Sequence, residues 1–291
     1  MPIRIDHVIV FGNDLAQLEA TFARLGFFVT GGGKHPHLGT QNRIIILGDG
    51  YLELLAIADS KVVSPGLVAR HARGEGWVGF AVQSEAITDE TMAMWERGAE
   101  AYGPRLGRLV APDGQARGWQ VTTLGTDDLW AAAEPLPFLI QHNTTDEQHR
   151  RELAGSSGLA PHPNGALRLA DVVIATDDLA ALRKRFAQAY ALSPTSETPS
   201  ETSWLGAQTL TLPLESGEHI TLAQPTTDGV ARERLAQAGK GMCAVTVAVG
   251  DLNLTAAYLD GQGVSYTSVD DGLLVTGKAS GYAPVRFISA E

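Results

Sequence analysis

The chain has 291 residues, of which 44% are hydrophobic and 19% charged. That length suits two domains of ordinary size, and the apolar share excludes wholesale disorder. Lys and Arg number 22 against 33 Asp and Glu, and the net charge of −11 argues against nucleic acid as a partner. The one cysteine, Cys243, excludes an intramolecular disulfide and any thiolate cluster, and inside the apolar run 242–249 it reads as a buried strand residue. No apolar run approaches the length of a membrane span, and the first residues lack a signal-peptide layout. A cytoplasmic protein is expected.

Ile5-Asp6-His7-Val8-Ile9-Val10-Phe11 reads as a strand. Asn13 or Asp14 then suits a helix N-cap, and Leu15, Leu18, Phe22 and Leu25 mark one buried helical face. Three strands follow, at 27–30, 42–47 and 51–57, the last two joined at Gly48-Asp49-Gly50. Gly31–Gly39 is expected to be a loop. A weaker copy has a strand at 77–82, a helix at 88–102, and strands near 105–110, 118–123 and 137–141. After the polar stretch 142–165, which contains a short helix at 146–153, the grammar returns. Leu169–Ala175 repeats the first strand, Asp177 or Asp178 the cap, and Leu179, Leu182, Phe186 and Tyr190 the helical face. Strands at 204–212 and 219–223 follow. A fourth copy has a strand at 244–249, a helix at 252–261, and strands at 264–267, 272–276 and 285–289. The chain is therefore α+β: four βαβββ units (3–57, 77–142, 167–224 and 242–289) in two paired, curved mixed-sheet domains. These domains are 1–142 and 166–291, with a linker at 143–165.

Asp6-His7-Val8 at the start of a strand–turn–helix, followed by Gly48-Asp49-Gly50-Tyr51-Leu52-Glu53-Leu54, resembles the vicinal oxygen chelate superfamily. His35-Pro36, Gly39-Thr40, Asn42, Leu136–Ile140 and His162-Pro163-Asn164-Gly165-Ala166 narrow the resemblance to its bacterial glyoxalase-like domain branch. It is specific over about 3–180 and only topological beyond. It implies the glyoxalase/bleomycin resistance/dioxygenase fold, with a cavity between paired units and metal ligands on the first and fourth strands of each. A divalent ion such as Zn, Fe, Mn or Ni suits such imidazole and carboxylate ligands.

In the first unit His7 and Glu53 occupy those places. Alternation puts His7 on a face with Ile5 and Ile9, and Glu53 on a face with Tyr51 and Leu55. A carboxylate inside Tyr-Leu-Glu-Leu-Leu-Ala needs a partner or a function, because an unpaired buried charge is costly. In the second unit the matching positions are Gly79 and Phe138, so the four-ligand set is incomplete. Asp171 stands where His7 would recur in the third unit, with no carboxylate at the Glu53 place. His35 and His37 share one side if their segment is extended. Asn42 and Arg43 open a strand, so one of them faces inward. Trp119, Phe138 and His142 are candidates for the cavity wall, whereas His71, His149, His162 and His219 read as structural or exposed. No phosphate loop, dinucleotide fingerprint or nucleophile elbow is present.

Two functions fit. The first is a lyase- or isomerase-type enzyme acting on a small oxygenated or carbonyl compound. His7 and Glu53 would be its catalytic pair and the two residues open to a metal, while His35, His37, Asn42, Arg43, Tyr51, Trp119, Phe138 and His142 would contact substrate. The second is a metal-independent binding protein of the bleomycin-resistance kind, whose acidity would suit a cationic ligand. One divalent metal and no cofactor at all both stay open. The partner is a small molecule, with neither nucleic acid nor membrane, and the chain is a monomer or a homodimer.

Overall fold

The computed structural model describes residues 3–110, 114, 116–131, 135–155 and 158–290. In the N-terminal half, β1 (Ile5–Phe11), β4 (Gly50–Ile57), β3 (Thr40–Leu47), β2 (Thr30–His35), β6 (Ala101–Val110), β7 (Ala116–Leu124), β8 (Phe138–His142) and β5 (Gly76–Gln83) close, in that order, into a barrel. The C-terminal half is an eight-stranded sheet. Its order is β10 (Ser200–Thr202), β11 (Ala207–Pro213), β12 (His219–Pro225), β9 (Ala166–Ala175), β13 (Gly241–Val249), β16 (Val285–Ser289), β15 (Gly272–Val275) and β14 (Thr267–Val269). Each half thus pairs two units, and the parallel contacts β1–β4 and β9–β12 repeat each other.

The helices form where caps and apolar spacing require them. α1 (Leu15–Arg24) starts at Asp14, whose carboxylate accepts from the backbone N–H groups of Ala16 and Gln17. α5 (Leu179–Tyr190) starts at Asp178 in the same way, and each cap is worth about 1 kcal/mol. Leu15, Leu18 and Phe22 of α1, and Leu179, Leu182 and Phe186 of α5, enter a core that runs through both halves. At their junction Phe27 stacks on Phe287, and Trp77 Nε1 donates to Pro284 O at 2.9 Å.

Several expected boundaries move. The helix at 88–102 is the shorter α3 (Ile87–Glu96), and β6 begins at Ala101. In the fourth unit, α7 (Leu252–Gly261) precedes β14, which starts at Thr267 rather than at 264. α2 (Pro65–His71) and α6 (Val230–Ala238) were not anticipated, since neither carries a full helical stripe of apolar residues. The short helix in the connecting stretch is α4 (Asp146–Ala154).

The largest correction concerns the expected loop 31–39, which strand β2 (Thr30–His35) enters and occupies as far as His35. Its glycines read as loop but serve close packing. A Cβ on Gly31 would overlap the carbonyl oxygen of Leu153 in α4, and one on Gly32 that of Asn42 in β3. Only the turn after His35 is loop.

Candidate active site

The site begins with an irregularity in β1. Ile5 pairs with Val82 and His7 with Ala81 on β5, leaving Asp6 as an extra residue in a bulge. The expected alternation therefore fails at one residue. His7 shares the barrel interior with Ile9, while Ile5 joins the outer core with Val8 and Val10. Asp6 and His7 are both buried, and Asp6 Oδ1 accepts from His7 Nδ1 at 2.6 Å. Asp6 Oδ2 accepts from His142 Nε2, at the end of β8, at 2.9 Å. Burial alone would raise the Asp6 pKa. The charges and hydrogen bonds of His142 and His7 outweigh it and hold the carboxyl well below its ordinary value. An ionised carboxylate only accepts, so His7 carries its proton on Nδ1 and turns Nε2 to the interior.

Glu53 lies on β4 opposite Ile9 of β1 and Ile44 of β3. Its Oε1 accepts from Asn42 Nδ2 at 2.6 Å, and Asn42 Oδ1 accepts in turn from the Gly33 backbone N–H at 2.7 Å. The carboxylate is therefore anchored by an amide and not by an arginine. His7 Nε2 lies 3.7 Å from Oε2, and His35 Nε2 lies 3.8 Å from Oε1. Thr40 Oγ1 meets His35 Nδ1 at 2.9 Å. Burial lowers the His35 pKa, and the attraction of Glu53 only partly offsets it, which favours a neutral ring. Tyr51 stacks on His7, with centroids 4.7 Å apart. Burial, together with Asp6 and Glu53, pushes its phenol well above the ordinary value.

These groups form the floor of a cavity of about 510 Å³ inside the barrel. Its walls are mainly apolar, with Ile9, Leu55, Trp119, Leu129, Trp130 and Phe138 prominent. α4 supplies a further wall through His149, Glu152 and Leu153. His149 stacks on His142 with centroids 3.6 Å apart, and burial followed by His142 pushes its pKa down to about 3.

Of the other sequence candidates, Asn42 faces the cavity while Arg43 points outward to Glu19 Oε2 at 3.3 Å. Tyr51, Trp119, Phe138 and His142 all line the cavity. His35 does too, but His37 sits exposed in the turn beyond β2, so the two imidazoles do not share a side. His149, expected to be structural or exposed, lines the cavity. His162 is fixed: Nε2 donates to Ile46 O at 2.7 Å and Nδ1 accepts from Phe28 N at 2.9 Å. Sequence reasoning missed Asp6, because no periodic pattern announces a bulge. It also missed Trp130, which lies in a polar connection.

The fit to a metal can be tested from the strand register. Ala81 pairs with Phe138 as Ile9 pairs with Glu53, so Phe138 stands at the Glu53 place of the second unit, and Gly79 stands at that of His7. Neither can ligate. Among the described residues no group of three or more His, Cys, Asp or Glu side chains is arranged to hold a metal ion. The four-ligand set is not there. In the C-terminal half, Asp171 pairs with His219 and Val173 with Thr221, so Thr221 occupies the Glu53 place. The face beside them is filled by Trp204, Leu205, Val230 and Ala231.

The family model for the glyoxalase-like domain matches residues 5–190. The chain belongs to the glyoxalase-like domain family. Solved structures carry the fold further than the family match does. A hypothetical protein from Staphylococcus aureus is 13% identical, with a TM-score of 0.70 over 99% of this chain and 100% of that one. A mutant of 4-hydroxymandelate synthase from Streptomyces coelicolor is also 13% identical, with a TM-score of 0.68 over 98% and 92%. At that identity the likeness extends to the fold of this glyoxalase-like protein and no further. No curated protein matches the chain. Among the described residues no helix is long and apolar enough to cross a membrane.

Proposed function

We propose that the barrel cavity is the active site of an isomerase- or lyase-type enzyme that moves a proton at a carbon next to a carbonyl. One observation carries this reading. Glu53 lies at the floor of a mainly apolar cavity with two imidazoles 3.7 and 3.8 Å away, and each of the three groups is held by a separate partner. Glu53 takes the proton from carbon. His7 Nε2 accepts the proton of a neighbouring substrate hydroxyl and returns it, while Asp6 stabilises the imidazolium that forms. Asn42 and Asp6 are positioning residues, since neither needs to touch the substrate. His35, kept neutral by burial, adds polarity without a competing positive charge. Members of the wider superfamily commonly bind a divalent metal. Here His7 and Glu53 provide two of the four familiar ligands, so no step is assigned to an ion.

The test is solvent deuterium incorporation into a panel of α-hydroxycarbonyl compounds, followed by NMR, with metal content measured on the same protein. Incorporation should fall by about a hundredfold or more in Glu53→Gln. Exchange unchanged in that variant would remove Glu53 as the base. A stoichiometric transition metal lost in both His7→Ala and Glu53→Ala would replace the metal-free route. Ligand binding with no exchange and no dependence on Glu53 would favour a sequestering protein.

A further inference from the structure

Away from the floor, the cavity wall includes two tryptophans held in different ways. Trp119 on β7 pairs across the ladder with Gly107 on β6. A Cβ on Gly107 would overlap the Nε1–Cε2 edge of the indole, so the ring lies over that glycine instead of projecting into the cavity. It also meets His35 edge-to-face, at 5.9 Å and 89°, and packs against the apolar cluster that includes Phe138 and Ile140. Trp130 stands on the connection between β7 and β8, which one carboxylate fastens to the start of α2. Asp128 accepts from Ser64 Oγ at 3.1 Å, Gly66 N at 2.9 Å and Trp130 N at 3.1 Å. The Trp119 indole is thus seated against Gly107, and the backbone that carries Trp130 is fastened by Asp128. Leu106 stands at the rim with 85% of its surface exposed, an apolar lip with nothing packed over it among the described residues.

Such a space is poorly matched to a small polar carbonyl compound, which would fill only the floor. From this arrangement we infer that the substrate carries a flat, apolar ring system held between Trp119 and the Leu129–Trp130 segment, with its oxygenated end at Glu53. Gly107 sets the permitted width. The inference deepens the proposed function and rests on its assignment of the cavity. Rigid aromatic walls favour flat apolar surface over flexible chains, and a buried aromatic contact contributes about 0.5–1.5 kcal/mol beyond the area it covers. The absence of Cβ at residue 107 keeps the indole on the wall. Adding one drives the ring into the space the substrate needs.

Isothermal titration calorimetry of the full chain with 2-naphthol and with hydroxyacetone tests the inference. 2-Naphthol should bind at least about tenfold more tightly, equivalent to about 1.4 kcal/mol. Gly107→Ala and Trp130→Ala should each weaken 2-naphthol by about tenfold, while Trp130→Phe keeps it within about threefold. Circular dichroism verifies folding of each variant, and Trp130→Phe serves if an alanine variant fails to fold. Equal binding of the two probes, or 2-naphthol binding unchanged in both Gly107→Ala and Trp130→Ala, overturns the inference. Its failure is separable from that of the enzyme reading. Glu53-dependent exchange on hydroxyacetone without binding of 2-naphthol removes the ring system alone. Gly107-dependent binding of 2-naphthol without Glu53-dependent exchange removes the proton chemistry alone.

Discussion

Replacing Asp6 by Asn removes one negative charge from the place where two imidazoles meet. The carboxylate accepts from His7 at 2.6 Å and from His142 at 2.9 Å, and both contacts are shielded from water. Each charge-assisted bond is worth about 1.5–3 kcal/mol. The amide keeps one acceptor oxygen and so retains one of the two bonds in weaker, neutral form. Its NH₂ group then faces a ring N–H, and one histidine must change tautomer. The expected net loss is about 3–5 kcal/mol, the usual range for breaking a buried charged contact. If His7 is the ring that changes, its proton moves to Nε2 and covers the lone pair facing Glu53. Activity then falls by about 10²–10⁴, as expected when an orienting carboxylate is lost. Urea unfolding should show the midpoint lowered by about 1 M or more, and nitrogen-15 NMR of the imidazoles should report the tautomer. A midpoint within about 0.2 M of the parent, with the His7 proton still on Nδ1, would refute the assigned role of Asp6.

Asp171 in the C-terminal sheet offers a pH-dependent test. Burial pushes its pKa up to about 7, against the opposing effects of Thr221 and Arg286, and its Oδ1 has no hydrogen-bond partner among the described residues. Between the ordinary value of 3.8 and about 7 the folded protein keeps a proton that the unfolded chain releases, so stability falls as pH rises through that window. Asp171→Asn should therefore stabilise at pH 8 by about 1–3 kcal/mol and give little gain near pH 4, as read by denaturant melts at both pH values. An equal gain at both would refute the titration. Asn164 is fully buried, donates to Leu25 O and accepts from Ala166 N, both at 2.9 Å, while its own carbonyl accepts from Thr255 Oγ1 at 2.7 Å. Asn164→Ala should cost about 2–4 kcal/mol in calorimetric unfolding without a change in ligand affinity, and a shift under about 2 °C would count against it.

Much of the fold was legible because the repeat states it more than once. Leu15, Leu18 and Phe22 are answered by Leu179, Leu182 and Phe186, and each set follows an aspartate cap. The inward turn of Tyr51, Glu53 and Leu55 follows from alternation alone. What stayed hidden depends on departures from regularity or on contacts distant in sequence. Asp6 enters the site only because β1 bulges, and His35 lies on a strand whose glycines imitate a loop. The need for those glycines becomes visible only when α4 and β3 are seen pressed against them. His149 and Trp130 reach the cavity from segments whose composition is that of solvent-facing connections.

The place of α4 against the barrel mouth changes what counts as a separable part. Eight strands close without it, so a fragment ending at His142 would keep every hydrogen-bonded strand pair of the barrel. Yet that fragment would lose the ring covering His142 and the Leu153 surface beside Tyr51, leaving the floor open to water on one side. The inheritable unit is therefore the barrel together with the strap that leads out of it. A recombination point placed directly after His142 would preserve the strand pairing and discard the cover that α4 gives the buried Glu53 carboxylate.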